Sequence, residues 1–179
     1  MRLLLMESVC VVLSGGVDSS VLCGLAGHRL LCCVFVDYGQ PSLNNERKSA
    51  KAVAAHFGVP LHEVSVGALS IDKLQQAAGA AVVSARNAII LSCAANVAKG
   101  VDVLWIGCAL SDQRDYFDCS PVFLDAMTTA LQVRIEAPLL RLSRRDIESR
   151  AQDMGLDGMT WSCYRGGVKP CGECNSCLQ

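Results

Sequence analysis

Residues 14–20 read Ser-Gly-Gly-Val-Asp-Ser-Ser and lie between two apolar runs, 9–13 and 21–26. That order predicts a buried strand, a tight loop and a helix start. Gly15 and Gly16 carry no Cβ, so the backbone there can approach an anion closely. Asp18, Ser19 and Ser20 fall where the first helical turn begins, and Val17 before them is a further nucleotide-binding candidate. The unpaired N–H groups of such a turn point at whatever fills the loop, and a phosphate is the natural occupant. A lysine-bearing phosphate loop is excluded, because it needs Gly, four residues, then Gly-Lys-Ser/Thr, and no Lys follows here. The dinucleotide fingerprint is excluded by its missing third glycine. The plain alternative is a Gly-Gly turn capped by Asp and Ser.

A second cluster lies near the other end. Cys163, Cys171, Cys174 and Cys177 are spaced Cys-x7-Cys-x2-Cys-x2-Cys. Two-residue spacing lets neighbouring thiolates face one tetrahedral ion, and a closed shell of four Cys makes a structural Zn²⁺ site. An iron–sulfur cluster uses similar spacing. A redox dithiol and a zinc knuckle touching nucleic acid are further alternatives. Of the other seven cysteines, six (Cys10, Cys23, Cys32, Cys33, Cys93 and Cys108) read as small buried hydrophobes. The seventh, Cys119, lies in a polar stretch.

The elements that must hold these groups alternate along the chain. Strands are predicted at 8–13, 31–36, 61–66, 103–107 and 134–137. Helices are predicted near 18–27, 44–57, 85–99, 121–131 and 143–154. Ser143 reads as an N-cap, with Asp146 its partner in a capping box. Five short strands alternating with helices imply an α/β, doubly wound, five-stranded and mainly parallel sheet. Ligands in such sheets bind beyond the strand carboxyl ends, where strand order reverses. The ends of the first, second and fourth strands should therefore share one cleft. Residues 1–158 read as the nucleotide-binding unit, and 159–179 as a short tail, too small for its own core and stapled by metal.

The chain has 179 residues, 51% hydrophobic and 18% charged, with net charge −1. These values suit a sheet buried on both faces. They supply no global basic field, so nucleic acid is not an expected partner. Arg134, Arg141, Arg144, Arg145 and Arg150 read as an exposed helix face with Asp146 and Glu148 interspersed, rather than a basic patch. No apolar run approaches the roughly 18 residues of a membrane span, and the start at 1–6 is too short for a signal peptide. The expected compartment is the cytoplasm, where eleven cysteines do not imply disulfides.

The loop string resembles that of the ATP pyrophosphatases, which activate a carboxylate or carbonyl oxygen with AMP and release pyrophosphate. Further strings extend the likeness. They are Asp37-Tyr38-Gly39-Gln40, Ser84-Ala85-Arg86-Asn87, Asp112 with Tyr116, Asp118 and Cys119, Glu136-Ala137-Pro138-Leu139, and Ser162-Cys163-Tyr164. With the loop and the four cysteines in this order, residues 8–177 resemble the 7-cyano-7-deazaguanine synthase family. The resemblance implies a Rossmann-like fold of the adenine nucleotide alpha hydrolase type. It also implies ATP, a zinc on Cys163, Cys171, Cys174 and Cys177, and conversion of 7-carboxy-7-deazaguanine and ammonia to the nitrile through an activated carboxylate and an amide.

Read residue by residue, Ser14, Gly15, Gly16, Asp18, Ser19 and Ser20 would hold phosphates, directly or through Mg²⁺ at Asp18. An N-cap role for Asp18 is compatible with this. Tyr38 would pack on adenine beside Asp37, unless Asp37, Gly39 and Pro41 only form a turn. Arg86 opens a helix, a poor place for a cation unless an anion sits there. That anion would be phosphate or the substrate carboxylate, the alternative being a surface salt bridge. Asn87 would satisfy a nucleotide or a loop backbone group. Gly107 ends the fourth strand at the nucleotide. Asp112 or Asp118 would read the N–H edge of a deazaguanine, with Tyr116 stacking or hydrogen bonding. Cys119 would be an active-site thiol at the substrate, although it lacks an adjacent His to activate it. Asp18, Arg86 and Asp112 are the expected catalytic groups.

The chain departs from the family pattern in a short, Ala-rich segment at 67–83, in Ser20-Val21 after the loop Asp-Ser, and in ending two residues after Cys177. The first puts a lid and a homodimer contact in question. It also opens a diverged reading, in which the activated carboxylate is joined to another amine, including a protein amine. A tRNA thiolase, or another ATP pyrophosphatase, and a non-catalytic nucleotide sensor are the rival classes.

Overall fold

The computed structural model describes residues 6–67, 69, 83, 85–112 and 116–178. Its strands are β1 (Val9–Val12), β2 (Leu30–Asp37), β3 (Leu61–Ser65), β4 (Val103–Trp105) and β5 (Arg134–Glu136). Its helices are α1 (Val17–Ala26), α2 (Leu43–His56), α3 (Arg86–Val97), α4 (Pro121–Leu131), α5 (Arg144–Asp153) and the short α6 (Asn175–Leu178). Short 3-10 turns at Gly27–Arg29, Phe117–Cys119 and Pro138–Arg141 were not expected from the sequence.

The strands form one sheet in the order β3-β2-β1-β4-β5. Every pair is parallel. The chain winds outward from β1 through β2 to β3, then returns to β4 on the other side of β1. The strand order therefore reverses between β1 and β4, and the cleft belongs beyond their carboxyl ends.

Alternation along β1 builds the two faces. Val9, Val11 and Leu13 point into one core with Val21, Leu22, Ala50, Val53, Ile147 and Ala151, so α1, α2 and α5 cover that face. Cys10 and Val12 point into the other with Leu91, Ala94 and Leu124, so α3 and α4 cover it. Each fully buried Leu, Val or Phe side chain contributes about 1.5–3 kcal/mol relative to exposure. The sheet is a rigid floor for the loops at its carboxyl edge. Among the cysteines expected to act as core hydrophobes, Cys10, Cys23, Cys32, Cys33 and Cys108 are buried and Cys93 is half-buried.

Ser143 caps α5 as expected. Its side chain accepts from the Asp146 N–H, and the Asp146 carboxylate accepts from the Ser143 N–H, closing the capping box. The other end of the 67–85 connection is Ala85, which enters α3 at φ 56°. Ser84 and nearly all of the Ala-rich segment, with the expected lid or dimer contact, lie outside the described residues. Among the described residues, no helix is long and apolar enough to cross a membrane.

Candidate active site

The loop between β1 and α1 closes on itself. The Ser14 N–H donates to Ser19 Oγ at 3.2 Å, and the Ser14 and Ser19 hydroxyls lie 3.0 Å apart. Ser20 is fully buried and donates to the Gly16 carbonyl at 2.7 Å, so its hydroxyl shapes the loop from within. The N-cap of α1 is Gly16, which leaves Val17, Asp18 and Ser19 in the first turn. Asp18 is thus not an N-cap. Its carboxylate lies 3.2 Å from Arg144 at the start of α5.

The two loop glycines serve different neighbours. Gly15 has φ +82°, and a Cβ on it would strike the Glu46 carbonyl and Ala50 nitrogen of α2. Its missing side chain therefore admits a helix of the protein itself. A Cβ on Gly16 would meet nothing closer than Ser14 Oγ at 3.4 Å. A third glycine brings β4 to the loop. A Cβ on Gly107 would stand 3.0 Å from the Ser19 nitrogen. The segment after β4 thus packs directly on the first turn of α1.

Charge is concentrated along this edge. Burial raises the Asp18 carboxyl above its ordinary value; Arg144 opposes the rise, while Asp112 and Glu148 add to it. Asp112 accepts from the Ala109 N–H at 2.8 Å, which holds the chain after β4 in a turn. Burial opposes the Arg86 charge, but Tyr38 and Asp118 outweigh it and hold the guanidinium pKa above its usual value. Burial also raises the Tyr38 phenol, against the pull of Arg86. The structure thus puts Asp18 within the electrostatic reach of Asp112, and Arg86 in hydrogen-bond contact with Tyr38 and under the influence of Asp118.

Asp37 takes the turn alternative. It accepts from the Gly39 N–H at 3.1 Å and pairs with Arg47 at 2.7 Å. Gln40 fixes the same turn by accepting from the Tyr38 N–H at 3.0 Å. Asn87 is buried and satisfies a loop backbone group, donating to the Asp118 carbonyl at 3.0 Å and to Cys119 Sγ at 3.6 Å. The Asp118 carboxylate accepts from the Asn87 N–H at 3.4 Å. It is therefore an anion at the start of α3, the one that Arg86 in the first turn calls for. Cys119 packs in the core with Tyr116 and Cys108, and its hydrogen bond with Cys108, together with burial, pushes the Cys108 thiol up. These are the marks of inert thiols.

The four C-terminal cysteines converge, with all Sγ atoms within 4.8 Å of one another. Cys177 Sγ lies 3.9 Å from Cys171 Sγ and 3.5 Å from Cys174 Sγ. A zinc tetrahedron with Zn–S near 2.3 Å has sulfurs about 3.8 Å apart, so the donor set fits that ion. The N–H groups of Glu173 and Cys174 donate to Cys171 Sγ and hold its thiol down at about 6. The Cys171 N–H donates to Cys163 Sγ at 3.3 Å. This centre is tied to the cleft. The Trp161 N–H donates to the Gly15 carbonyl at 2.9 Å, and Asn45 of α2 donates to the Gly167 carbonyl at 2.8 Å.

The family model for "Queuosine biosynthesis protein QueC" matches residues 8–179. The chain belongs to that family. It is 34% identical to a protein of Oceanobacillus iheyensis named 7-cyano-7-deazaguanine synthase, over 96% of this chain and 90% of that one. A protein of the same name from Thermoplasma acidophilum is also 34% identical, over 96% of this chain and 85% of its own length. The first alignment runs over 201 positions, more than this chain's 179 residues, so that relative carries insertions within the matched span. A solved Methanocaldococcus jannaschii protein, described as a predicted subunit of tRNA methyltransferase, superposes with TM-score 0.56 at 14% identity. That match covers 82% of this chain and 75% of the other, and it shows the fold.

Three residues of this family member entered the cleft without being expected there. Arg144 was read as part of an exposed face, and Trp161 carried no signal. Tyr164 stood beside a cysteine in a string quoted only for its likeness. Its phenol is raised first by burial and then by the charges of Tyr116 and Asp112, with Arg86 opposing the rise. The two-sided character of helix 143–154, polar outward with Arg144 near its cap, was the one available hint for Arg144.

Proposed function

We propose that this chain converts 7-carboxy-7-deazaguanine and ammonia to 7-cyano-7-deazaguanine, using ATP to activate oxygen twice. The observation that carries the reading is the match of residues 8–179 to this family, with the Ser14–Ser20 loop closed on itself at the carboxyl end of β1.

The atoms balance as follows. A substrate carboxylate oxygen bonds to the α-phosphorus of ATP, and pyrophosphate leaves. The ammonia nitrogen bonds to the carboxyl carbon, AMP leaves with the oxygen, and a proton is lost, giving the amide. The amide oxygen bonds to the α-phosphorus of a second ATP, and pyrophosphate leaves again. The carbon–oxygen bond then breaks, AMP carries the oxygen away, and two N–H protons are lost, giving the nitrile.

The residues take roles by chemistry and position. First-turn N–H groups of α1, with Ser14 and Ser19, receive phosphate oxygens. Asp18 is a carboxylate suited to Mg²⁺, which when bound would neutralise phosphate charge. Tyr38 faces adenine. Arg86 meets the anion at the reacting carboxylate and stabilises charge on its oxygen during acyl transfer. Asp112 reads the deazaguanine N–H edge, with Tyr116 against the ring, since Asp118 is taken up at the start of α3. Cys163, Cys171, Cys174 and Cys177 would hold a structural zinc that fastens residues 159–179 to the nucleotide-binding unit 1–158. The buried Cys108 and Cys119 give no support to a thiolase.

The test is mass spectrometry of products after incubation with ATP, Mg²⁺, ammonium and 7-carboxy-7-deazaguanine. A nitrile is the expected product. An amide or adenylate as the end point transfers the assignment to a diverged ligase with another amine acceptor. Unchanged substrate and intact ATP refute both.

A further inference from the structure

The phosphate loop of this chain holds no cation. No Lys or Arg stands among residues 14–20, and the first turn of α1 has only Asp18 as a charged group. Its hydroxyls are largely occupied inside the loop. A triphosphate or a departing pyrophosphate concentrates several negative charges, and the partial charge of one helix terminus meets only a fraction of them. A neighbouring element has to supply the rest.

The fold brings one arginine to that place from far along the sequence. Packing of α5 against α1 lays the start of α5 over the first turn of α1. Arg144 Nη1 lies 3.2 Å from Asp18 Oδ1, across 126 residues, while its Nε lies 3.0 Å from Glu148 Oε1. The other arginines near the cleft are engaged elsewhere. Arg47 is held by Asp37 at 2.7 Å and Glu63 at 2.8 Å, and Arg86 lies with Tyr38 and Asp118.

Position and geometry both single out Arg144. It is the first residue of α5, where the helix dipole disfavours a cation, and the Ser143–Asp146 capping box fixes it there. Glu148 steadies one edge of the guanidinium. Its contact to Asp18 is longer than the 2.7 Å pair of Arg47 with Asp37, and the Arg144 side chain keeps 31% of its surface exposed.

We propose that Arg144 is the pyrophosphate-binding cation of this site, replacing from α5 the lysine that the loop lacks. Before nucleotide binds, Asp18 holds the guanidinium over the loop. With nucleotide bound, the guanidinium fork pairs with β- and γ-phosphate oxygens, a geometry it matches in two-pronged fashion. The inference rests on the nucleotide reading above.

The test is calorimetric binding of Mg²⁺-pyrophosphate and of AMP to the full, metal-loaded chain, for wild type, Arg144→Ala, Arg144→Lys, Asp18→Asn and the Asp18→Asn/Arg144→Ala pair. Arg144→Ala is expected to weaken pyrophosphate binding about 10- to 100-fold, the range for losing hydrogen bonds to a charged group. AMP binding should stay within about twofold, since AMP lacks the β- and γ-phosphates. Arg144→Lys should recover part of the loss, because it restores charge without the fork. In the Asp18→Asn background the Arg144→Ala loss should persist. A loss that vanishes in that background means Arg144 acts only by holding Asp18, and overturns the proposal. Equal losses for pyrophosphate and AMP, or no loss, overturn it too. Wild-type protein that binds neither ligand overturns the nucleotide reading and this inference together, whereas wild type that binds both beside an unaffected Arg144→Ala sinks the inference alone.

Discussion

Replacing Gly107 with Ala would put a methyl group 3.0 Å from the Ser19 nitrogen and 3.3 Å from the Asp18 carbonyl carbon and Ser19 Cα. All three neighbours are backbone atoms, so no rotamer change relieves the contact. Either the end of β4 or the first turn of α1 must move by a few tenths of an ångström. Overpacking of this kind costs about 1–3 kcal/mol. For a chain of this size, each kcal/mol lowers Tm by about 2–4 °C, so the variant should melt about 2–12 °C lower. The displaced group is also one of the first-turn N–H donors. ATP affinity should therefore fall, by about tenfold for each 1.4 kcal/mol of the cost that the bound state carries. Thermal melts and calorimetry on the same preparation check both. Gly16→Ala is the matched control. Its φ of −77° is ordinary and its nearest neighbour would be at 3.4 Å, so its Tm should hold while phosphate affinity falls. A Gly107→Ala protein with unchanged Tm and unchanged ATP affinity would refute the claim that this glycine seats the strand end on the loop.

Asp18→Asn should raise the Tm of nucleotide-free protein at neutral pH. Burial lifts the folded carboxyl above its ordinary value, so the folded state holds the proton more tightly than the unfolded one. The stability this gives is present below the unfolded value and lost as pH rises through the folded one. Melts across that window should show the loss in wild type and not in Asp18→Asn. Metal analysis should find one zinc per chain, and chelation should lower Tm by more than about 5 °C because binding is coupled to folding. A brown, iron-absorbing protein would contradict zinc. Ser143→Ala removes the α5 cap and should cost about 1 kcal/mol, read as a Tm drop of about 2–4 °C.

Much of the fold was legible because each strand is a short apolar run between helical stretches. Element ends were less so, for local reasons. The fourth strand was expected to reach 107, but it stops at Trp105 before the chain turns at Gly107 to meet Ser19. The first helix was expected to run to 27, but Gly27 adopts φ 55° and ends it. The site was legible as residue types and not as pairings. Asp37, Asp118 and Asp112 were all candidate ligands, and packing commits them to Arg47, the Asn87 N–H and the Ala109 N–H respectively. Nothing in local spacing reveals which carboxylate will find a partner inside the protein. Asp18 with Arg144 is the extreme case, since only the packing of α5 on α1 joins them.

The bond from the Trp161 N–H to the Gly15 carbonyl bears on how the protein comes to be made. Together with the Arg144–Asp18 pair and the Asn45–Gly167 bond, separated by 126 and 122 residues, it joins the earliest part of the chain to the latest. A nascent chain on the ribosome that has exposed only β1, α1 and β2 carries the whole phosphate loop in sequence, yet lacks both the strap and the counter-charge. Such long-range closures slow folding, as in other sheets built from non-local pairings. Competence to hold a nucleotide thus arrives with the C-terminal segment rather than with the loop that names the site. Synthesis of the last cysteines is the step at which the first glycines are set in place.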